Sequence, residues 1–234
     1  MGVSIIKMEK DHIIILSGAS GGIGSELLKH YSKKNKIIAL YNKNKPKIMN
    51  RNIEYLKINF LKKIKIKKMN FKNKKIIFVN LASKKTDKLL INYNFEDWKN
   101  TLQINVSSVF LILKILIPEM IKNRWGRIIN FSSTDGLKGD IGTIAYSSSK
   151  HALHGINKVV SKEYAKFGIT SNILILGNFN YGMFKKLNNS KQAQLLKKVP
   201  TGKTGNINNI INALDFITKS DYLNGSEINI DGGI

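Results

Sequence analysis

The chain has 234 residues, of which 42% are hydrophobic and 9% aromatic, enough for one α/β domain with a sizeable core and too apolar for a disordered polymer. It contains no cysteine, which excludes a disulfide framework and any thiolate metal site. The formal charge of +24 comes from 36 lysines and three arginines (Arg51, Arg124 and Arg127), whereas a nucleic-acid reader favours the bidentate arginine fork, so nucleic acid is not the expected partner. Lysine, asparagine and isoleucine are abundant together, the mark of AT-rich codons, yet the resulting field still attracts anions.

Acidic Glu9 and Asp11 interrupt the start and no cleavage pattern follows, so no signal peptide is expected. The apolar run at 12–17 reads as a buried strand, followed by Gly18-Ala19-Ser20-Gly21-Gly22-Ile23-Gly24 and a helix over 22–34. A glycine-rich turn between strand and helix lets backbone approach a pyrophosphate, which the helix N-terminus then stabilises. The glycines at 18, 22 and 24 fit neither G-x-G-x-x-G, since position 27 is Leu, nor the P-loop, since no Gly-Lys-Ser/Thr follows. Strands follow at 36–41, 53–58 and 75–80. The segment 42–52 contains Pro46 and is too short for a full crossover helix. The densest basic run, 61–75, has room only for a stunted helix on a solvated face.

A long helix is expected over 96–122. Its apolar stretch 109–121 is broken by Lys114 and Pro118, so no membrane span is expected. Strands at 126–132, 170–176 and 226–230 and helices at 146–167 and 206–218 complete the pattern. Strands alternating with helices predict a doubly wound, Rossmann-type parallel sheet of about seven strands with helices on both faces, as a single domain over 1–234. Thr201-Gly202-Lys203-Thr204 imitates a P-loop tail, but Lys197 stands where its first glycine belongs.

The chemistry lies near the middle of the chain. Tyr146 and Lys150 are four apart on a predicted helix and share a face. An ammonium beside a phenol stabilises the phenolate and lowers its pKa, which suits the tyrosine to general-acid work. Ser133 follows an apolar strand and could reach the same place, or could merely cap the strand end. His151 and His154 are read as surface or packing residues, and no metal is expected.

Ser17-Gly18-x-x-x-Gly22-x-Gly24 with Ser133, Tyr146 and Lys150 resembles the short-chain dehydrogenase/reductase family, and the resemblance runs from about residue 11 to Gly233. Asn80-Leu81-Ala82-Ser83 stands where the family has its strand-end motif beside the adenine, Asn59 closes the third strand, and Asn105 matches the family's helix asparagine. Asp221-Tyr-Leu-Asn224-Gly225 through Asp231-Gly232-Gly233 is similar to the closing strand. Within the family the chain most resembles the 3-oxoacyl-[acyl-carrier-protein] reductases, through Thr86-Asp87, Phe95-Glu96-Asp97-Trp98, Gly126-Arg127-Ile128-Ile129-Asn130 and Val199-Pro200.

The resemblance implies a catalytic tetrad. Tyr146 protonates the alkoxide, Lys150 holds the ribose hydroxyls, Ser133 donates to the carbonyl and Asn105 holds a relay water. It implies NADP(H) bound by Gly18, Ser20, Gly22, Ile23, Gly24, Tyr41, Asn42, Asn59, Asn80, Ala82, Tyr146, Lys150, Gly177 and Phe179. NADP rather than NAD is expected because no acid follows the second strand at Tyr41, while Lys43 and Lys45 could meet a 2′-phosphate.

Three departures concern the cofactor clamp: Gly21 stands where NADPH-dependent relatives often carry Arg, Leu176 replaces Pro before Gly177, and Tyr181 replaces Thr. A cytoplasmic homotetramer is expected, with acyl carrier protein as partner through Arg124 and, less directly, Lys166 beside Phe167. Two other readings stay open: a reductase or dehydrogenase of a free ketone, alcohol or sugar, and a non-catalytic binding protein on this fold.

Overall fold

The computed structural model describes residues 12–62, 71 and 73–234. The expectations for the first residues and for most of the basic run 61–75 lie outside the described residues. Seven runs rich in isoleucine, leucine and valine form the strands His12–Ser17 (β1), Lys36–Tyr41 (β2), Ile53–Lys57 (β3), Lys75–Asn80 (β4), Gly126–Ser133 (β5), Ile169–Leu176 (β6) and Glu227–Ile230 (β7). All pair in parallel in the order β3-β2-β1-β4-β5-β6-β7.

Side chains alternate along each strand, and here both faces are apolar, so the sheet has to be covered on both sides. Ile15, Ile38, Phe78, Ile128 and Ile173 face one layer, packed by helix Ser108–Lys122 (α3) and helix Ile144–Glu163 (α5). Ile14, Leu16, Ile37, Val79 and Ile129 face the other, covered by Gly22–Tyr31 (α1) and Ile207–Lys219 (α8). Tyr31 joins the two covering helices by donating its hydroxyl to Asp215 Oδ1 at 2.8 Å.

Helix α1 stops at Tyr31, short of the expected end, because Asn35 donates its side-chain amide to the Tyr31 carbonyl and closes the turn. The long helix expected over 96–122 is three joined pieces: Phe95–Leu102 (α2), one widened π turn at Gln103–Ser107, and α3. Together they are long and apolar enough to cross a membrane, but Val109, Ile112, Leu113, Leu116 and Met120 are buried in the sheet layer, which marks a core helix. The crossover between β2 and β3, expected to carry only a trimmed helix, carries none.

Three short helices were not legible from periodicity: Thr134–Lys138 (α4), Gly182–Lys185 (α6) and Asn189–Leu196 (α7). One or two turns cannot establish a 3.6-residue repeat. The P-loop imitation at 201–204 is a turn, with helix α8 starting beyond it on a capping box at Asn206 and Asn209.

Candidate active site

Strand order reverses between β1 and β4, and ligands of doubly wound sheets bind at the strand carboxyl ends beside such a reversal. Ser17 and Asn80 are register partners there, and Asn80 pairs onward with Asn130. Their side chains form a buried ladder: Ser17 donates to Asn80 Oδ1 (2.8 Å) and Asn80 Nδ2 to Asn130 Oδ1 (3.1 Å). Ser17 Oγ also accepts from the Leu81 and Ala82 amides, both at 3.1 Å. Asn80 and Ala82 thus shape the strand end, and the Asn80 side chain points into the ladder.

The glycine turn is built for close approach. Gly18 has φ +70, and a Cβ there would lie 2.8 Å from the Ala82 nitrogen; a Cβ on Gly24 would lie 2.2 Å from the Gly18 carbonyl oxygen. Helix α1 starts with neither a side-chain cap nor an acidic residue in its first turn, which leaves its amides for an anion. Ser20 is exposed and Ile23 half-buried beside them. These residues fit the pyrophosphate of a dinucleotide. Gly22 also bears on the segment after β6, since its Cβ would come within 2.3 Å of the Gly182 nitrogen.

At the ends of β2 and β3, Tyr41 is half-buried and edge-on to Tyr55 at 6.3 Å, Asn42 is exposed, and Asn59 accepts the Leu61 amide at 3.0 Å. Lys45 lies over the Tyr55 ring at 4.8 Å and Lys43 is exposed. Gly177 donates its amide to Ile230 at 3.0 Å, and the Asp231 backbone passes too close for a Cβ. The Phe179 ring is buried against Gly205, and its carbonyl accepts the Tyr181 amide, so Phe179 acts on the cleft by holding the loop.

The four tetrad residues come together from three segments. Ser133 ends β5 and caps α4, accepting the Asp135 amide at 3.2 Å, and its hydroxyl, like that of Ser83, lies near enough to the Tyr146 phenol to favour the ionised form. Lys150, one turn beyond Tyr146 on α5, is buried and donates to the Phe131 carbonyl at 2.7 Å. Asn105 sits in the π turn, where the backbone widening is of the kind found at functional sites. Its Oδ1 accepts the Lys84 amide (2.7 Å), and its Nδ2 donates to the Lys84 carbonyl (2.9 Å) and Ser149 Oγ (2.8 Å). Ser149 in turn donates to the Tyr146 carbonyl at 2.7 Å, so Asn105 clamps the loop after β4 to α5.

The electrostatics correct one expectation. Burial pushes the Tyr146 phenol up to about 12, with Asp135 and Asp87 adding to the rise and the nearby Ser133 and Ser83 hydroxyls opposing it. Burial likewise takes Lys150 down to about 8. In this arrangement the Lys150 ammonium is turned to the Phe131 carbonyl, 5.6 Å from the Tyr146 ring centre, and it does not lower the phenol pKa.

A second cation comes nearer. Lys85 Nζ lies 5.3 Å from the same ring centre and bonds Asp135 at 2.9 Å, bridging the loop after β4 to α4 across the mouth. Ser83, Lys85, Asp135 and Ser149 escaped sequence reasoning as site residues. Ser83 ends the Asn-Leu-Ala-Ser motif and offered a signal, whereas Lys85 among 36 lysines offered none.

Residues 12–192 match the model of the short chain dehydrogenase family. The 3-oxoacyl-[acyl-carrier-protein] reductase FabG of Buchnera aphidicola subsp. Baizongia pistaciae is 32% identical over 236 aligned positions, covering 95% of this chain and 96% of the relative. That of Rickettsia conorii is 32% identical over 229 positions, covering 94% and 95%. The FabG of Buchnera aphidicola subsp. Schizaphis graminum is 37% identical over 160 positions, 68% of this chain and 66% of the relative.

Among solved structures, a chain provisionally described as a betaketoacyl-ACP reductase superposes with a TM-score of 0.84 at 16% identity, covering 97% of this chain and 98% of its own. One provisionally described as a 2-deoxy-d-gluconate 3-dehydrogenase from Agrobacterium tumefaciens, with bound NADP, reaches 0.83 at 20% identity and covers 96% of each. At that identity the structural likeness speaks for the fold alone. A glycine turn at the strand reversal, a buried Tyr-Lys pair with its serine, and a family match over most of the length lead to one assignment: the chain belongs to the short-chain dehydrogenase/reductase family.

Proposed function

We propose that this chain reduces a 3-oxoacyl thioester, carried on an acyl carrier protein, to the 3-hydroxyacyl product at the expense of NADPH. The observation that carries the chemistry is the meeting of Tyr146, Ser133 and Lys150 beside the glycine turn. A reduced nicotinamide held by the glycine turn would supply the hydride that the carbonyl carbon accepts. Ser133 donates to the carbonyl oxygen and Tyr146 delivers the proton that oxygen needs as it becomes an alkoxide. Lys150 would hold the ribose of the dinucleotide and set a cation near the phenol. Asn105 keeps the loop and helix in register for both.

NADPH is favoured over NADH by the missing carboxylate at Tyr41 and the exposed Lys43 nearby. The carrier substrate is supported by the relatives' names and by a basic rim. Arg124, exposed with φ +48, donates to the Lys166 carbonyl at 3.2 Å, so the fold sets Arg124 and Lys166 side by side. An acidic carrier would be steered by such a pair.

The reading extends to a cytoplasmic, single-domain homotetramer, with exposed Phe110 on α3 and Val159 on α5 available to a second copy. A free ketone, alcohol or sugar is the second reading, favoured by the polar Lys85–Asp135 bridge at the mouth.

NADPH oxidation with an acetoacetyl-carrier substrate, against a short free ketoester, separates the two. Carrier-dependent turnover, with Arg124→Glu raising KM for the carrier substrate about tenfold and barely for the ketoester, is the expected result. Equal effects on both would move the assignment to the free small molecule.

A further inference from the structure

Tyr146, Lys150, His154 and Lys158 follow one another at steps of four on α5 and form one stripe. Two of them belong to the proposed chemistry, and the other two continue it toward the sheet edge. His154 Nε2 lies 3.1 Å from Ser132 Oγ, and its Nδ1 lies 3.0 Å from Glu227 Oε1 on β7. Lys158 donates to the Gly225 carbonyl at 2.8 Å and stands 3.8 Å from the same Glu227 oxygen. Glu227 as acceptor places a proton on Nδ1, and Nε2 shares its hydrogen bond with the Ser132 hydroxyl.

Serine, histidine and carboxylate in this order have the connectivity of a hydrolytic triad. Access argues against a nucleophile: Ser132 is 4% exposed, and α4 roofs it so closely that a Cβ on Gly136 would lie 3.1 Å from its Oγ. The same Cβ would lie 2.5 Å from Lys150 Cβ, so β5, α4 and α5 meet here without slack. Ser132 also directly precedes Ser133 at the end of β5.

We infer that His154, held by Glu227, is a positioning residue: by fixing the Ser132 hydroxyl it sets the strand end that presents Ser133 and the helix turn that presents Lys150. The inference rests on the catalytic roles proposed above for Ser133 and Lys150. Its chemistry is that of a histidine oriented by a carboxylate, acting on a serine of the strand that carries Ser133. The Ser133 hydroxyl and Tyr146 phenol then keep the fixed separation that proton delivery needs, where errors of an ångström are costly.

The test compares His154→Phe, which keeps bulk and loses both bonds, with His154→Gln, which can donate to Glu227 and accept from Ser132, and with Ser132→Ala alone and combined with His154→Phe. In the full-length enzyme, His154→Phe is expected to lower kcat about tenfold with KM and NADPH affinity nearly unchanged, and His154→Gln to restore about half of the loss. The double variant should be no worse than the poorer single one, because both remove the same bond.

Independently of turnover, amide hydrogen exchange of Ser133–Gly136 should quicken in His154→Phe and Ser132→Ala and recover in His154→Gln. Unchanged kcat and exchange in His154→Phe, or additive losses in the double variant, overturn the inference. Should the wild type reduce no ketone, the functional reading fails, while the exchange comparison still decides the role of His154. If His154→Phe does not fold, Ser132→Ala against His154→Gln gives the same decision by exchange.

Discussion

Around Tyr146 the elements are joined by side chains, whereas around Gly18–Gly24 they are joined by backbone. On the first side, Asn105 binds Lys84 and Ser149, Lys150 binds the Phe131 carbonyl, and Ser133 binds the α4 amide beside the phenol. On the second, Gly24 rests on the Gly18 carbonyl and Gly18 on the Leu81–Ala82 backbone. The difference suits what each side is proposed to handle. A proton has to be delivered by one oxygen at one place, which calls for a fixed side chain. A phosphate has several equivalent oxygens, and a row of amides serves it with no side chain at all. The catalytic side should therefore break through single side-chain deletions, and the nucleotide side should respond mainly to added charge or bulk.

The sharpest way to break this contrast is Tyr146→Phe. Turnover is expected to fall about 1,000-fold, the middle of the range for losing a general acid, with NADPH affinity by fluorescence titration nearly unchanged. Near-normal turnover would remove the tyrosine from the mechanism.

Lys150→Met probes the same side through stability. The buried ammonium has its pKa lowered from 10.5 to about 8. Below about pH 8 both folded and unfolded chains hold the proton, and the cost of burying it is present in full; between there and about 10.5 the unfolded chain holds a proton the folded one has released, so wild-type stability climbs with pH. Lys150→Met should be more stable than wild type by about 1–3 kcal/mol at pH 7, by denaturant titration, and the gap should close by about pH 10.5. A gap that does not change with pH would mean the ammonium is not desolvated.

Asn105→Ala should cost about 1–3 kcal/mol, since it strands the Lys84 amide and carbonyl without partners, and should lower kcat about tenfold. Loss of stability without loss of kcat would leave the clamp purely structural.

The smallest effect belongs to the nucleotide side. Tyr41→Asp places a carboxylate where the proposed cofactor's ribose 2′ position would be read and should shift the NADPH-to-NADH ratio of kcat/KM toward NADH by about tenfold. Equal use of both cofactors by the wild type would sharpen the contrast further, leaving that end of the cleft without side-chain discrimination.

Much of this was legible before the fold. β1, β2 and β4 begin and end where their apolar runs do, because strands buried on both faces read as continuous hydrophobic segments between turns. The tetrad spacing and the three glycines were equally plain, since a four-residue helical step and a strand–turn–helix junction are local geometry. Less was legible of α4, α6 and α7, which are too short to repeat, and of Asn80, whose side chain turns into a ladder with Ser17 and Asn130.

The amino-acid sequence by itself determined the parallel sheet with two apolar faces, the glycine turn and the Tyr-Lys pair, because each rests on periodicity or spacing within one element. Tertiary structure alone decided the electrostatic state of that pair. Whether Lys150 faces the phenol or the Phe131 carbonyl, how far burial raises Tyr146, and that Lys85 joins Lys150 over the ring depend on what packs from β4, β5 and α4. Desolvation and the distance between charges are properties of the space around a side chain, and that space is enclosed by segments far apart in the chain.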